Sequence, residues 1–156
     1  MTLTYRKGDL FTMPREYCLA HCISADFALG AGIAKQFDRI YQMRFKLNNR
    51  YEDILQKERV GQAYLVDNVF NLVTKEWYYN KPTYETLICC LEQIKTRMAQ
   101  LNITKLAIPK IGCGLDKLQW NVVEQIIKGV FTDTDVEIVV NEFEFKERND
   151  NVDKQR

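Results

Sequence analysis

The sequence predicts an α/β fold, in which a central sheet is covered by helices on its faces. Apolar runs of strand length alternate with longer stretches of helical period, which is the pattern of a sheet layered with helices. The 156 residues suffice for one domain that buries roughly 70% of the surface its unfolded chain would expose. Hydrophobic residues make up 46% and aromatic residues 12% of the chain, a composition that excludes disorder, collagen and coiled coil.

Six strands and three helices are predicted along the chain. The strands are short apolar runs at residues 3–5, 18–23, 63–66, 69–74, 106–109 and 137–140, and the helices cover residues 32–41, 82–101 and 120–130. The clearest helix is the middle one, because Leu87, Leu91, Ile94 and Met98 recur at spacings of three and four and so share one face. Pro82 stands where the first turn of a helix tolerates proline.

One domain is expected over residues 1–145, followed by a polar, flexible tail over residues 146–156. The last eleven residues hold one aliphatic and no aromatic side chain, which is why we expect a loose end. Between residues 35 and 59, seven basic side chains outnumber four acidic ones, and we interpret this diffuse excess as a solvated helix surface.

Charge and cysteine content limit the kinds of partner. Lys and Arg number 22 against 21 Asp and Glu, so the net charge of +1 gives no support to direct nucleic-acid binding through many phosphates. Five cysteines without a C-x-x-C pair, and no apolar leader, predict reduced thiols in the nucleus or cytoplasm. No window approaches the ~18 apolar residues of a membrane span. We expect a monomer without a membrane anchor.

Four of the seven glycines lie in two G-x-G units, Gly30-Ala31-Gly32 and Gly112-Cys113-Gly114. Each unit follows a predicted strand and precedes a helix, where free backbone N–H groups and a helix N-terminus suit a phosphate. One unit alone could be only a tight connection, but two favour a diphosphate site at the carboxyl ends of the strands. Positions 35 and 117 are lysines and no P-loop occurs, which disfavours a nicotinamide enzyme or a P-loop NTPase.

Lys81 and Asp116 are the candidate reactive side chains. Lys81 precedes Pro82 at the start of the long helix, where the helix dipole disfavours the ammonium form, and a neutral amine attacks carbonyls and anomeric carbons. Its position alone also fits an ordinary exposed lysine. Asp116 follows the second glycine unit, and it could cap the next helix or present a carboxylate beside the phosphate loop.

Three further positions have weaker chemical interpretations. Asp9 could accept a hydrogen bond from an adenine amino group or could belong to a simple turn. His21 with Cys18 and Cys22 makes a poor metal site, because a strand turns positions 21 and 22 to opposite faces and a fourth ligand is missing. A nucleophilic Cys113 paired with His21 stays possible, although no third group is evident.

These residues, in this order, resemble a macrodomain of the branch typified by the terminal ADP-ribose protein glycohydrolase. The resemblance extends from about residue 3 to residue 143 and is specific because all of its segments occur in order. Those segments are Lys7-Gly8-Asp9-Leu10-Phe11, Ala20-His21-Cys22-Ile23-Ser24, Gly30-Ala31-Gly32-Ile33-Ala34, Thr74-Lys75, Lys81-Pro82-Thr83-Tyr84-Glu85, Pro109-Lys110-Ile111-Gly112-Cys113-Gly114-Leu115-Asp116 and Leu118-Gln119-Trp120.

The resemblance implies a three-layer α/β/α sandwich with a central mixed sheet, which binds ADP-ribose in a cleft at the strand ends. Asp9 would hold the adenine amino group, and the two glycine loops would surround the diphosphate and the distal ribose. The implied ligand-binding positions are Asp9, Leu10, Ser24, Gly30, Ala31, Gly32, Ile33, Thr83, Ile111, Gly112, Cys113, Gly114 and Leu115.

The family's catalytic lysine and aspartate fall on Lys81 and Asp116. The implied reaction removes ADP-ribose from Glu or Asp side chains of mono-ADP-ribosylated proteins, with a lysine nucleophile and without metal or cofactor; O-acyl-ADP-ribose is a further implied substrate. A non-catalytic ADP-ribose reader, an ADP-ribose 1″-phosphate phosphatase and a thiol enzyme using Cys113 are the alternatives. The chain departs from the resemblance at Asn141, where close relatives have an aromatic near the adenine, with Phe143 two residues on.

Overall fold

The computed structural model describes residues 1–142 of the chain. The strands are β1 (Thr2–Arg6), β2 (Cys18–Ser24), β3 (Ala63–Val66), β4 (Val69–Lys75), β5 (Lys105–Ile108) and β6 (Glu137–Asn141); the α-helices are α1 (Gly32–Tyr41), α2 (Met43–Tyr51), α3 (Tyr84–Leu101) and α4 (Trp120–Phe131). Short 3₁₀ turns occupy Leu10–Thr12 and Gln56–Arg59. The predicted α/β class and its six strands are confirmed, with boundaries displaced by one residue or less.

The six strands form one mixed sheet in the order β1-β6-β5-β2-β4-β3. In this sheet order, every pair of neighbours from β1 through β6, β5 and β2 to β4 is parallel. Among the described residues, the one antiparallel pair is the hairpin of β3 with β4. The carboxyl ends of β5, β2 and β4 therefore meet at one edge of the sheet, which is where open α/β sheets bind ligands.

Helices cover both faces, which gives the three layers that the resemblance implies. One core lies between the sheet and α3 with α4, and includes Leu87, Ile94 and Phe131. The other core lies between the sheet and α1 with α2, and includes Phe37 and Leu47. The strand β2 contributes side chains to both cores, because successive side chains of a strand point to opposite faces of the sheet. Among residues 1–142, no helix is long and apolar enough to cross a membrane.

The helix α2 was missing from the sequence prediction, although Met43 and Leu47 are fully buried. Its sequence, MRFKLNNRY, shows a weak apolar stripe among basic and amide side chains, so periodicity gave little signal. Gln42 separates α1 from α2 in the left-handed conformation, with φ of 57°. The predicted tail over residues 146–156 lies outside the described residues, as do residues 143–145 of the predicted domain.

The expected solvated surface between residues 35 and 59 contains one clear exception. Arg59 is buried, and its guanidinium donates hydrogen bonds to the carbonyl oxygens of Ile54, Ala25 and Tyr51 at 2.7–3.1 Å. The same group lies 4.3 Å from the ring centroid of Phe27, a cation–π contact. A basic side chain thus fixes the backbone that leads from β2 into the first glycine loop.

Candidate functional site

A cleft of about 950 Å³ opens at the carboxyl ends of β2, β4 and β5. Each of the three strands leads directly into its wall: β2 through Ser24, β4 through Lys75 and β5 through Pro109. Both glycine loops line this cleft, as do Lys81 and Asp116. Residues far apart in the chain thus face one cavity because the strands before them are parallel neighbours.

The first glycine loop ends in the amino terminus of α1. Ala31 is the N-cap of this ten-residue helix, and no side chain caps its first amides. Gly32 has φ of +60°, a conformation that favours glycine, and Ala31 and Gly32 both line the cleft. Free amides at a helix start, together with the positive end of its dipole, are chemically suited to an anion.

The second glycine loop approaches the first across the cleft. Gly112 has φ of +75°, and an added Cβ would lie 2.9 Å from Leu118 Cδ1. A Cβ on Gly32 would lie 3.1 Å from Leu115 Cδ1, so the two loops are in close contact at this point. The local geometry therefore requires glycine at both positions.

Hydrogen bonds to Asp26 join the first loop to the segment before α3. Its Oδ1 accepts hydrogen bonds from the Ser24 hydroxyl at 2.6 Å and the Ala28 amide at 3.2 Å, while its Oδ2 accepts one from the Tyr78 amide at 3.0 Å. Sequence reasoning overlooked Asp26, since a lone aspartate after a strand gives no signal of what it will join. One carboxylate holds two walls of the cleft in place.

An ion pair joins Asp116 to Lys75 inside the cleft. The Lys75 Nζ lies 2.7 Å from Asp116 Oδ1, and the two side chains are only 14% and 17% exposed. Lys81 also lines the cleft, but its residue is exposed, and among residues 1–142 it takes part in no ion pair. The sequence prediction assigned no role to Lys75, which the structure makes the immediate partner of the candidate carboxylate.

Eleven of the candidate residues line the cleft, namely Ser24, Gly30, Ala31, Gly32, Ile33, Lys81, Ile111, Gly112, Gly114, Leu115 and Asp116. The other four lie outside its lining. Thr83 caps α3, with its hydroxyl oxygen accepting the Thr86 amide hydrogen bond at 3.1 Å. Cys113 donates a hydrogen bond from Sγ to the Ile111 carbonyl at 3.3 Å. Asp9 and Leu10 stand at the turn that follows β1.

The turn after β1 is connected to the end of β6 by Arg6. Arg6 Nη1 donates to Asn141 Oδ1 at 2.6 Å and to the Asp9 carbonyl at 3.3 Å. Asp9 Oδ1 accepts the Phe11 amide hydrogen bond at 3.0 Å, an N-cap contact. The buried Asn141 Nδ2 has no hydrogen-bond partner within residues 1–142. These polar groups lie at the same edge of the sheet as the cleft, Asn141 on the strand next to β5 and the turn after β1 one strand further.

The thiol interpretation gains no support from the geometry. Burial raises the pKa of Cys113 to about 11, which disfavours the thiolate that a nucleophile requires. His21 is fully buried, its Nε2 donates to Asn71 Oδ1 at 2.6 Å, and its ring stacks on Phe37. Burial also lowers the pKa of His21 to about 4. His21 is a core residue on the α1 side of the sheet, whereas Cys113 packs against the opposite core.

The histidine, cysteine and carboxylate side chains of residues 1–142 bear on metal binding and disulfide formation. Within residues 1–142, no cluster of three or more His, Cys, Asp or Glu side chains could hold a metal ion. All five cysteines are free, and Cys22, which lines the cleft, has a pKa raised to about 12, mainly by burial. Besides backbone amides, the polar side chains that line the cleft are three lysines, one carboxylate, a serine, an asparagine, two tyrosines, a histidine and the Cys22 thiol.

Fold and site together define an α/β protein with a cleft at the carboxyl edge of a mixed sheet, lined by two glycine loops and a helix N-terminus. Known proteins are similar to this chain in sequence and fold. The Macro domain family model matches residues 20–127. Human ADP-ribose glycohydrolase OARD1 is 40% identical over 142 residues, which cover 88% of this chain and 90% of the human protein.

Bacterial proteins extend the similarity. A DNA ADP-ribosyl glycohydrolase of Mycobacterium tuberculosis is 28% identical over 149 residues, covering 88% of this chain and 41% of that protein. The solved macrodomain of M. tuberculosis DarG superposes with a TM-score of 0.77 at 27% identity, covering 90% of this chain and 97% of that one. The chain belongs to the macrodomain family.

Proposed function

We propose that this chain is a hydrolase that releases ADP-ribose from mono-ADP-ribosylated proteins, by cleaving the ester between C1 of the sugar and a Glu or Asp side chain. The observation that carries the proposal is that an uncapped helix start, a second glycine loop, a lysine and a carboxylate face one cleft. The named activity of its relative, an ADP-ribose glycohydrolase, supports the same class of reaction.

The two glycine loops are proposed to hold the diphosphate. The amides at Ala31, Gly32 and Ile33 offer donors at the positive end of α1, and the loop from Gly112 to Leu115 closes from the other side. Adenine would lie toward β1 and β6, where Asp9 keeps Oδ2 free of the cap hydrogen bond. Binding energy at the remote diphosphate would then hold C1 against the reactive amine.

Lys81 is the proposed nucleophile. Its neutral Nζ would form a bond to C1, while the C1–O bond breaks and its electron pair leaves with the side-chain carboxylate. The other two lysines of the cleft are paired within residues 1–142, Lys75 with Asp116 at 2.7 Å and Lys110 with Glu142 at 3.1 Å, which leaves Lys81 as the amine available to attack. An exposed position at the cleft mouth also suits contact with a sugar that is still joined to a protein.

Asp116 is proposed to carry out the proton transfer of this reaction. After attack, the nitrogen must lose a proton and the ribose ring oxygen must gain one, so that the ring opens to a Schiff base. Water then adds to that carbon and displaces the amine, which yields free ADP-ribose and regenerates Lys81. The proposed reaction uses no cofactor. O-acyl-ADP-ribose, an ester on the same sugar, would be a smaller substrate of the same site.

A glutamate-ADP-ribosylated protein tests the proposal. We expect wild-type protein to release free ADP-ribose, and Lys81→Ala to lower the rate by at least about 100-fold, the lower range for loss of a catalytic group. Affinity of Lys81→Ala for ADP-ribose, measured by calorimetry, should stay within about threefold, because Lys81 is assigned to chemistry. Binding without any release by the wild type would favour the reader alternative instead.

A second candidate substrate is ADP-ribose attached to DNA. The specific observation in its favour is the similarity to DNA ADP-ribosyl glycohydrolase at 28% identity and to the DarG macrodomain at a TM-score of 0.77. An ADP-ribosylated oligonucleotide, assayed beside the modified protein at equal concentration, separates the two. Faster release from the oligonucleotide would replace the protein ester as the main substrate.

A further inference from the structure

Three consecutive aromatic residues form an exposed surface beside Lys81. Trp77, Tyr78 and Tyr79 are 40%, 65% and 64% exposed. The rings of Trp77 and Tyr79 are stacked, with centroids 6.1 Å apart and planes 11° from parallel, and Tyr78 meets Tyr79 edge to face at 5.2 Å. We call these three residues the aromatic platform. Neither the fold nor the proposed chemistry requires them.

The aromatic platform is held in solvent by backbone hydrogen bonds. The Trp77 amide donates to Asn80 Oδ1 at 2.8 Å, and the Asn80 amide donates to the Trp77 carbonyl at 2.9 Å. The Tyr78 amide donates a hydrogen bond at 3.0 Å to Oδ2 of Asp26, which lies between β2 and the first glycine loop. Exposed rings on a fixed backbone lose little conformational entropy on binding, which favours a recognition surface.

The position of the platform indicates what it would meet. Tyr78 and Tyr79 line the cleft together with Lys81, whereas Trp77 does not belong to its lining. If C1 of the sugar lies at Lys81, the group esterified to C1 must leave the cleft past these rings. This step rests on the proposed function, since it takes the protein-linked sugar as the substrate.

The charges near the platform indicate which kind of molecule, attached to C1 of the sugar as its carrier, the platform would bind. Glu76 adjoins Trp77, and Glu85 lies in the first turn of α3. Of the three lysines that line the cleft, Lys81 is assigned to the reaction, Lys75 is paired with Asp116 and Lys110 is paired with Glu142. Carboxylates disfavour a phosphate backbone, and the face of an indole or phenol ring attracts Arg and Lys.

We propose that the aromatic platform binds the polypeptide carrier, through a Lys or Arg side chain next to the modified carboxylate. Trp77 is the main acceptor of this cation, because indole gives the strongest cation–π contact and its ring is displaced from the reaction centre. The platform would then favour acidic modification sites that have basic neighbours.

Two matched peptides test the proposal, each mono-ADP-ribosylated on a single Glu. One carries Arg on both sides of that Glu, and the other carries Gln. We expect wild-type kcat/KM to be roughly two- to fivefold higher for the Arg peptide, the range of an exposed cation–π contact. Trp77→Leu, which keeps an apolar side chain, should bring the ratio to one, and Trp77→Phe should retain part of it. Phe45→Leu, a change at a 64% exposed ring on α2, is the control and should leave the ratio unchanged.

The outcomes are distinguishable. Equal wild-type rates on the two peptides, or an unchanged ratio in Trp77→Leu, would overturn the carrier site while the proposed function stands. Release from neither peptide would overturn both. An ADP-ribosylated single-stranded oligonucleotide is the third substrate: if Trp77→Leu slows its hydrolysis but leaves the peptide ratio intact, base stacking on the platform replaces the cation contact.

Discussion

Lys75 ends β4 with its ammonium group 2.7 Å from Asp116 Oδ1, and this contact bears on the proposed chemistry. Because Oδ1 is engaged, Oδ2 is the oxygen left for proton transfer. The ammonium also offsets the cost of burying the carboxylate and ties the second glycine loop to the sheet. Lys75 is in this account a positioning residue, which acts through Asp116.

Replacement of Lys75 by Met should distinguish a role of Lys75 in positioning Asp116 from a role in binding the ligand. We expect Lys75→Met to reduce kcat by about tenfold or more, since misplacement of an acid–base group loses part of its contribution. Lys75→Arg, which can still pair with a carboxylate, should recover most of the rate. Steady-state kinetics and calorimetry with ADP-ribose are the measurements. Normal kcat with weakened ADP-ribose affinity would instead make Lys75 a phosphate ligand.

At the scale of elements, the second glycine loop depends on one backbone conformation. Gly112→Ala should destabilise the protein by about 1–2 kcal/mol, the cost of a positive φ in an L-residue, and the clash with Leu118 adds to it. Gly114→Ala is the matched control, because a Cβ there meets nothing within 4 Å. Urea denaturation measures both. Equal losses in the two variants would contradict the role given to Gly112.

Elements with a strong pattern were predictable from the sequence, and those fixed by tertiary contacts were not. The α3 helix has buried residues at spacings of three and four, and its predicted end at Leu101 agrees with the structure. The α2 helix is held by Met43 and Leu47, which belong to the core on its side of the sheet, and the local polarity of the helix conceals this packing. The burial of Arg59 was not predicted for a similar reason, since one of its three carbonyl partners, Ala25, lies 34 residues away in the chain.

For the candidate site, the sequence predicted which loops contribute but not how side chains pair. Glycine spacing placed two loops at strand ends, and parallel topology brings both into one cleft. The ion pair of Asp116 with Lys75 depends on how the chain crosses from β4 through α3 to β5 and so brings the two residues together. The spacing of residues in the sequence does not predict this contact. The roles of Lys81 and Asp116 stay predictions that rest on the family resemblance and on their shared cavity.

At the scale of the whole molecule, His21 makes stability depend on pH. Burial lowers its pKa from 6.5 to about 4, so the unfolded chain binds a proton in that window while the folded one does not. Stability should fall as pH decreases from 6.5 toward 4, by on the order of 3 kcal/mol from this group. His21→Phe, although destabilised by the lost hydrogen bond to Asn71, should show a flatter dependence in urea unfolding. An equal slope in both proteins would contradict the assignment.

The central claim, that the amine of Lys81 bonds to C1 of ADP-ribose, is tested most directly by trapping the intermediate. The protein would be mixed with a glutamate-ADP-ribosylated peptide and cyanoborohydride, which reduces a Schiff base to a stable secondary amine, and then mapped by mass spectrometry. We expect a single ADP-ribosyl adduct on Lys81, absent from Lys81→Ala. An adduct on Lys75, or rapid release of ADP-ribose with no trapped lysine under any condition, would contradict the claim.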